Sequence, residues 1–274
     1  MSVAFLSPDA GLEHDNGGGH PECPQRLVSI REHLASSGLV SGLAQPDARR
    51  VSREALQRVH TPGYVDTIHS VAPANGRVML DADTSLSPGS LEAALYAAGA
   101  GVGAVDWVMQ KPGRRAFCAV RPPGHHARAD RAAGFCVFNN LVIAARHAQA
   151  RHGMGPIAIV DFDVHHGDGT ESLIAGDPSV LFASSFQHPA YPGAGVPPLA
   201  KNCLNVPLAA GTTGVQWREA VAAAWFEALD AFRPELLLVS AGFDAHREDP
   251  LAGLALGEED YTWITRELTA FANA

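Results

Sequence analysis

The sequence predicts a three-layer α/β/α fold in which helices cover both faces of a mostly parallel central sheet. Strand and helix signals alternate along the chain, an order typical of parallel sheets with crossover helices. With 274 residues, 46% of them hydrophobic, the chain can bury one sizeable core as a single domain over residues 1–274. The predicted strands cover residues 3–6, 117–120, 157–160, 180–184, 203–208 and 236–239, and the predicted helices cover 24–34, 90–109, 138–151, 215–232 and 258–274.

Local sequence signals support these helices. Pro24 suits the first turn of a helix, where its missing N–H is not needed. Thr213 is a good N-cap for the helix over 215–232, and Pro234 ends that helix. Three glycines within the Ala-rich helix over 90–109 predict close packing against a neighbouring element rather than a break.

Polar side chains follow directly after the predicted strand over 157–160. Alternate side chains on a strand share a face, so Asp161, Asp163 and His165 can converge on one point. The intervening Phe162 and Val164 would then point into packing. A tight turn with capping aspartates is the competing interpretation, but it accounts for neither of two further polar clusters.

Those two clusters also follow predicted strands. In the segment RPPGHH over 121–126, proline and glycine hold His125 and His126 on a loop. Asp244 follows the strand over 236–239. Ligand sites in parallel α/β folds lie beyond the carboxyl ends of the strands. We therefore expect an active site there, made of groups that bind a divalent metal and move protons.

The order of these motifs resembles that of the histone deacetylase family, which includes the bacterial histone-deacetylase-like and acetylpolyamine amidohydrolases. The resemblance covers nearly the whole chain, and several motifs in the family's order are far more specific than any one of them. It implies the arginase/deacetylase-like form of the fold. The matching segments are HPECPQRL (20–27), SPGS (87–90), RPPGHH (121–126), DFDVHHGDG (161–169), YPG (191–193), Asp244 and DPL (249–251).

The resemblance implies a single catalytic Zn²⁺ held by Asp163, His165 and Asp244. Two carboxylates and one imidazole leave a position open for water and the substrate carbonyl. The resemblance also implies that His126 is the general base and then the general acid, while His125 gives electrostatic support.

Further roles follow from the same resemblance. Asp161 would orient His125 and Asp168 would orient His126. A structural K⁺ is expected with ligands from Asp161, Asp163, the His165 backbone, Ser184 and the Ser185 backbone. The substrate tunnel would be lined by Gly134, Phe135, Tyr191 and Leu251.

The implied reaction is hydrolysis of an acetylated amine, either acetyl-lysine or an acetylpolyamine, to acetate and a free amine without an organic cofactor. One feature departs from the family. Its members carry a Gly-Gly-Tyr motif after the third metal ligand, and that tyrosine donates a hydrogen bond to the oxyanion. This sequence ends at Ala274 without the motif, so we expect residues 1–274 to lack the corresponding C-terminal strand. Either this chain is shorter than the natural protein, or the enzyme lacks its oxyanion donor. Loss of one such donor typically costs about 10²–10³ in rate.

Two alternative functions stay open at this point. An acyl-binding protein with weakened catalysis would account for the missing tyrosine. A binuclear manganese ureohydrolase would share the fold, but it needs more metal-binding aspartates beside Asp244 than the segment over 240–244 offers.

Composition excludes several classes of partner. The net charge is −9 and no basic run occurs, which argues against direct nucleic-acid binding and suits a cationic substrate. No apolar stretch reaches the roughly 18 residues of a membrane span. The first residues lack the basic and apolar regions of a signal peptide, so a cytoplasmic location is expected. No pattern predicts an oligomeric state.

Overall fold

The structure, a computed structural model, describes residues 2–273. They form two compact units, one that ends at Gly153 and one that begins at Met154. The first unit contains β1 (Ser2–Leu6), α1 (Gln25–Ser36), α2 (Arg53–Gln57), α3 (Pro62–Val71), β2 (Val78–Met79), β3 (Ser85–Leu86), α4 (Ser90–Met109), β4 (Arg114–Cys118) and α5 (Asn140–His152), with short 3₁₀ turns at Asp9–Leu12 and Leu39–Gly42. The second contains β5 (Ile157–Asp161), α6 (Asp168–Ile174), β6 (Val180–Gln187), β7 (Cys203–Leu208), α7 (Gly214–Phe232), β8 (Leu236–Ser240) and α8 (Glu258–Phe271).

In the first unit, β1 and β4 pair in parallel, and α4 packs closely against its neighbours. A Cβ atom built on Gly99 would lie 1.7 Å from the backbone oxygen of Arg49. A Cβ atom on Gly101 would lie 3.3 Å from the backbone oxygen of Asn140 at the start of α5. Helix α4 has the predicted bounds, and its glycines allow the predicted close packing.

Several boundaries in the first unit differ from the prediction. The strand predicted over 117–120 is β4, which begins at Arg114 and ends at Cys118, because its pairing with β1 includes two arginines that the apolar pattern leaves out. Helix α5 begins at Asn140 rather than at residue 138, since the Asn139 side chain caps it by accepting the Val142 N–H at 3.1 Å. Helices α2 and α3 were not predicted.

The second unit is built on a four-stranded, fully parallel sheet with strand order β7-β6-β5-β8. The register places Asp161, the last residue of β5, beside Ser184 of β6 and Ser240 of β8. Strand β6 continues past its predicted end to Gln187, because it stays paired with β7 up to Leu208. The carboxyl ends of these parallel strands therefore meet at one edge of the sheet.

Helices α7 and α8 pack against this sheet through a large apolar core. Trp217 and Trp225 of α7 are almost completely buried, as is Ile264 of α8. Phe162 and Val164, which follow β5, are buried in the same core, as the alternation predicted. Their side chains fix the loop that carries the polar residues between them.

Within residues 2–273, none of the helices has the length and apolar character needed to cross a bilayer.

Candidate active site

In the second unit, Asp163, His165 and Asp244 form a carboxylate–imidazole cluster. Asp163 and His165 lie on the loop after β5, and Asp244 lies on the loop after β8. His165 Nδ1 is 3.1 Å from Asp163 Oδ1 and 2.9 Å from Asp244 Oδ2. One possible ligand atom from each residue lies within 4.8 Å of the other two. The three side chains that the family resemblance implies as metal ligands lie together, and their donor set fits a divalent cation.

Backbone hydrogen bonds hold this loop to the same carboxylates. Asp163 Oδ1 accepts the N–H of His165 at 2.8 Å, and Asp244 Oδ1 accepts the N–H of Val164 at 2.9 Å. Asp161 Oδ1 accepts the N–H of Asp163 at 3.1 Å. A Cβ atom at Gly242 would lie 2.1 Å from Asp163 Oδ2, so only glycine leaves room for this carboxylate.

Charge in the cluster is shared between the imidazole and the two carboxylates. Burial alone would lower the pKa of His165, but the hydrogen bonds and charges of Asp163 and Asp244 outweigh it and raise that pKa to about 10. Burial and the charge of Asp163 raise the pKa of Asp244 to about 6, against the opposing effect of His165. Two carboxylates this close favour a positive charge between them, which is what a metal ion supplies.

The neighbouring His166 has a different environment, which the sequence did not reveal. Its Nδ1 is 3.2 Å from Ser184 Oγ, and its Nε2 is 2.8 Å from Glu171 Oε2 on α6. The other oxygen of Glu171 accepts the N–H of Leu199 at 3.0 Å and the side-chain amide of Asn205 at 2.8 Å. Glu171 thus ties α6, the loop at Leu199 and strand β7 to the segment that carries the cluster, and only its place in a helix after the motif could have hinted at this role.

The residues predicted to bind K⁺ lie at the end of β5, on the loop that follows it, and within β6. Asp161 and Ser184 are fully buried and adjacent in the sheet register. The Ser185 side chain accepts the Trp217 indole N–H at 3.0 Å, and the role predicted for Ser185 uses its backbone. Asp168, predicted to orient a histidine, is the first residue of α6 and is buried.

In the first unit, His125 and His126 are both buried, with ring centroids 3.9 Å apart. The backbone N–H of His126 donates to Cys136 Sγ at 3.5 Å. Gly134 packs directly on the His126 ring, since a Cβ atom there would lie 2.2 Å from His126 Cδ2. Gly134, predicted as a tunnel residue, is therefore also the wall that fixes the His126 ring.

The RPPGHH segment is anchored at its first residue. Arg121 forms a buried ion pair with Glu22, and its guanidinium also donates to the backbone oxygen of Gly11 at 2.7 Å. Burial tends to raise the pKa of Glu22, but hydrogen bonds from His14 and Arg121 leave it below the ordinary value. Glu22 therefore holds the loop that carries the histidine pair.

Phe135, the predicted aromatic wall of the tunnel, has an uncommon backbone conformation with φ of +67°. Its N–H donates to Thr84 Oγ1 at 3.0 Å, and the N–H of Gly134 donates to Asp83 Oδ1 at 3.2 Å. The His20 ring meets the Phe135 ring edge to face at 4.7 Å. The turn over 81–84 supports this strained position.

In the second unit, the remaining predicted tunnel residues are partly open to solvent. Tyr191 is 44% exposed and its ring lies 6.0 Å from that of His165, while Leu251 is 36% exposed. The hydroxyl of Tyr261, on α8, donates to the backbone oxygen of Phe243 at 3.1 Å.

Comparison with known proteins assigns the family. The family model described as "Histone deacetylase domain" matches residues 20–274. The chain belongs to the histone deacetylase family. A probable deacetylase of Archaeoglobus fulgidus is 34% identical over 99% of this chain and 77% of its own length. A histone deacetylase-like amidohydrolase of Pseudomonas aeruginosa is 35% identical over 90% of this chain and 67% of its own.

The fold of this family member is confirmed in the same way. The solved HDA15 HD domain superposes with a TM-score of 0.94 at 33% identity and covers 99% of this chain and 81% of that chain. The predicted fold class, three-layer α/β/α with a mostly parallel sheet, is therefore correct, and so is the family resemblance read from the motifs.

Proposed function

We propose that this family member is a zinc-dependent amidohydrolase that removes acetyl groups from acetylated amines. The observation that carries the proposal is the carboxylate–imidazole cluster, in which two carboxylates and one imidazole bring ligand atoms within 4.8 Å of each other. Three protein ligands of these types are typical of a catalytic zinc site, which keeps a fourth position open. The names of the relatives, deacetylase and amidohydrolase, support the same class of reaction.

Asp163, His165 and Asp244 would hold the zinc ion, and His165 would release its proton when the ion binds, since only a neutral imidazole can be a ligand. Zinc at such a site polarises a carbonyl and lowers the pKa of a bound water towards about 7. The other steps belong to side chains of this chain.

We assign proton transfer to the histidine pair. His126 would take the proton of the attacking water and later give one to the departing amine, so that acetate and a free amine leave. His125 would stabilise the oxyanion electrostatically and by hydrogen bonding. The close packing of Gly134 on the His126 ring supports this assignment, because it fixes that ring in one orientation.

Asp161 and Asp168 would orient the two imidazoles and raise their basicity. Asp161, Asp163, Ser184 and the backbones of His165 and Ser185 would hold a structural K⁺, whose charge would act on the nearby histidines. Phe135, Tyr191 and Leu251 would line a slot for an extended acyl-amine chain. An acetyl-lysine peptide and an acetylpolyamine both present an extended acyl-amine chain that would fit such a slot.

The test is acetate release from an acetyl-lysine peptide and from acetylated polyamines by metal-free protein, before and after addition of Zn²⁺. Asp244→Asn should lose one equivalent of bound Zn²⁺ and the activity. Glu248→Gln, an exposed acidic residue on the same loop, is the matched control and should keep both. If Asp244→Asn deacetylates as fast as the control, the proposed centre is wrong.

A urea-release assay on a guanidino substrate, run with the same metal-free protein, separates the manganese ureohydrolase. That enzyme would need Mn²⁺, so urea release restored by Mn²⁺, without acetate release in the presence of Zn²⁺, would contradict the proposal.

A further inference from the structure

A second cluster of metal-binding side chains lies in the first unit and shares no residue with the carboxylate–imidazole cluster. It consists of Asp106 on α4 with His147 and His152 on α5, and we call it the Asp106 cluster. His147 Nε2 is 2.8 Å from Asp106 Oδ1, and His152 Nε2 is 2.7 Å from the same oxygen. One possible ligand atom from each residue lies within 4.8 Å of the other two.

The packing of α4 against α5 fixes these three residues. A Cβ atom at Gly101 of α4 would lie 3.5 Å from the Cβ atom of Ala144 on α5, so the two helices approach closely there. His147 comes three residues after Ala144, on the same face of α5. His152 is the last residue of α5, next to a glycine cap in the left-handed conformation. Both imidazoles are therefore held by helix backbone rather than by a mobile loop.

Burial in the Asp106 cluster suits a site that is preformed and still open to solvent. The side chains of His147 and His152 are 12% and 24% exposed, whereas that of Asp106 is 48% exposed. The imidazoles are thus fixed by packing, and an ion can reach the carboxylate from water. The two rings meet edge to face at 5.6 Å between centroids, with both Nε2 atoms directed at one oxygen.

The donor set selects the class of ion. Two imidazoles and one carboxylate suit Zn²⁺, Cu²⁺ and Ni²⁺, whereas Mg²⁺ and Ca²⁺ prefer oxygen ligands alone. Binding needs the lone pair of each Nε2, so each imidazole would carry its single proton on Nδ1. Burial opposes ionisation of Asp106, but hydrogen bonds from His147 and His152 lower its pKa below the ordinary value, so it is a carboxylate at neutral pH.

We propose that Asp106, His147 and His152 bind a divalent transition-metal ion of the Zn²⁺ class, which ties α4 to α5. The alternative is a plain ion pair in which protonated histidines neutralise Asp106. The two differ in a measurable way, because the ion pair binds no metal and gains nothing from its addition.

The experiment is equilibrium dialysis of the full chain against Zn²⁺, with an Asp163→Asn change that removes the candidate catalytic centre. This variant is expected to bind one Zn²⁺ per chain. Adding His147→Gln or His152→Gln should weaken that binding at least about 10-fold, the lower bound for loss of a supporting group at a metal site. Adding His69→Gln, an exposed histidine on α3, is the control and should leave it unchanged.

Thermal unfolding gives a second reading with the same proteins. Zn²⁺ should raise the Tm of the Asp163→Asn protein and of its His69→Gln derivative, and should not raise it once His152 is replaced. If Asp163→Asn fails to fold, the unaltered chain should bind one Zn²⁺ more than its His152→Gln variant. Equal zinc binding with and without His147 and His152 would overturn the proposal, whatever the outcome of the deacetylation assay.

Discussion

Gly134→Ala offers a sharp test of how the histidine pair is positioned. The added Cβ atom would lie 2.2 Å from Cδ2 and 2.7 Å from Cγ of the His126 ring. These atoms belong to the rigid imidazole ring of His126. The His125 ring packs against this ring, with 3.9 Å between the two centroids. The His126 ring must therefore move, because the methyl group cannot.

The size of the effect follows from these distances. Ordinary van der Waals contact begins near 3.4 Å, so the ring must shift by about 1 Å. A displacement of about 1 Å at a reacting group can cost about 10²-fold in rate. Gly134 also has φ of +53°, and a left-handed conformation costs a non-glycine residue roughly 1–2 kcal/mol. We expect kcat/KM for deacetylation to fall by about 10²-fold and the protein to lose more stability than the backbone cost alone.

Gly113→Ala is the matched control. Gly113 has φ of +76°, but a Cβ atom there would have no neighbour within 4 Å. It should lose only the roughly 1–2 kcal/mol of backbone strain in urea denaturation and keep its activity. If both variants show the same stability and the same kcat/KM, the contact between Gly134 and His126 does not position the imidazole, and the reasoning fails.

Three further predictions follow from other buried groups. Burial lowers the pKa of His60 from 6.5 to about 4, against hydrogen bonds to backbone groups that raise it. As pH falls from 6.5 towards 4, the His60 imidazole therefore takes up its proton in the unfolded state before it does so in the folded state. The free energy of unfolding should drop by about 2 kcal/mol by pH 5. A chemical-shift titration that finds His60 protonated above about pH 6 in the folded protein would contradict this. Glu171→Ala leaves the buried His166 and two further donors without their acceptor and should cost about 3–5 kcal/mol in urea denaturation, whereas a loss below about 1 kcal/mol would mean that water replaces the carboxylate. His126→Ala should retain zinc, measured by elemental analysis, and lose about 10²–10⁴-fold in kcat; near-normal turnover would place the base elsewhere.

The polar residues at the strand ends could be predicted because their signals are local. An apolar run followed by alternating polar residues predicts a strand that ends in a cluster, and Asp163 and His165 behave in this way. Asp161 is instead the buried last residue of β5, and Asp244 takes the third place in the cluster. The neighbouring Phe162 and Val164 are buried, as that alternation requires. The convergence of Asp244 on the same cluster was expected from the general position of ligand sites in parallel sheets, and the pairing of β5 with β8 provides it.

The side chains that hold the candidate site residues in place could not be predicted, because they make contacts between residues that are far apart in the sequence. Glu22 and Arg121 are 99 residues apart and meet only in the folded chain. Thr84 and Phe135 are 51 residues apart. A carboxylate in a loop is usually solvated, and nothing local in the sequence distinguishes Glu22 or Asp83 as a carboxylate that anchors a backbone. The boundary errors at β4 and β6 have a similar cause, because pairing with a neighbouring strand set both ends.

Each carboxylate of the cluster accepts a backbone hydrogen bond and is also a candidate metal ligand. This double role decides how variants at the cluster should be interpreted. Asp244 Oδ1 accepts the N–H of Val164, while Oδ2 faces His165. Asp163 Oδ1 likewise accepts the N–H of His165. An alanine at either position removes a backbone acceptor together with a metal ligand, so lost activity alone would not distinguish a loosened loop from a lost ion. Asparagine keeps a side-chain oxygen for the backbone N–H and removes the charge. A variant pair in which Asp244→Asn keeps the stability that Asp244→Ala loses, while both lose the ion, would assign one oxygen to the loop and the other to the metal.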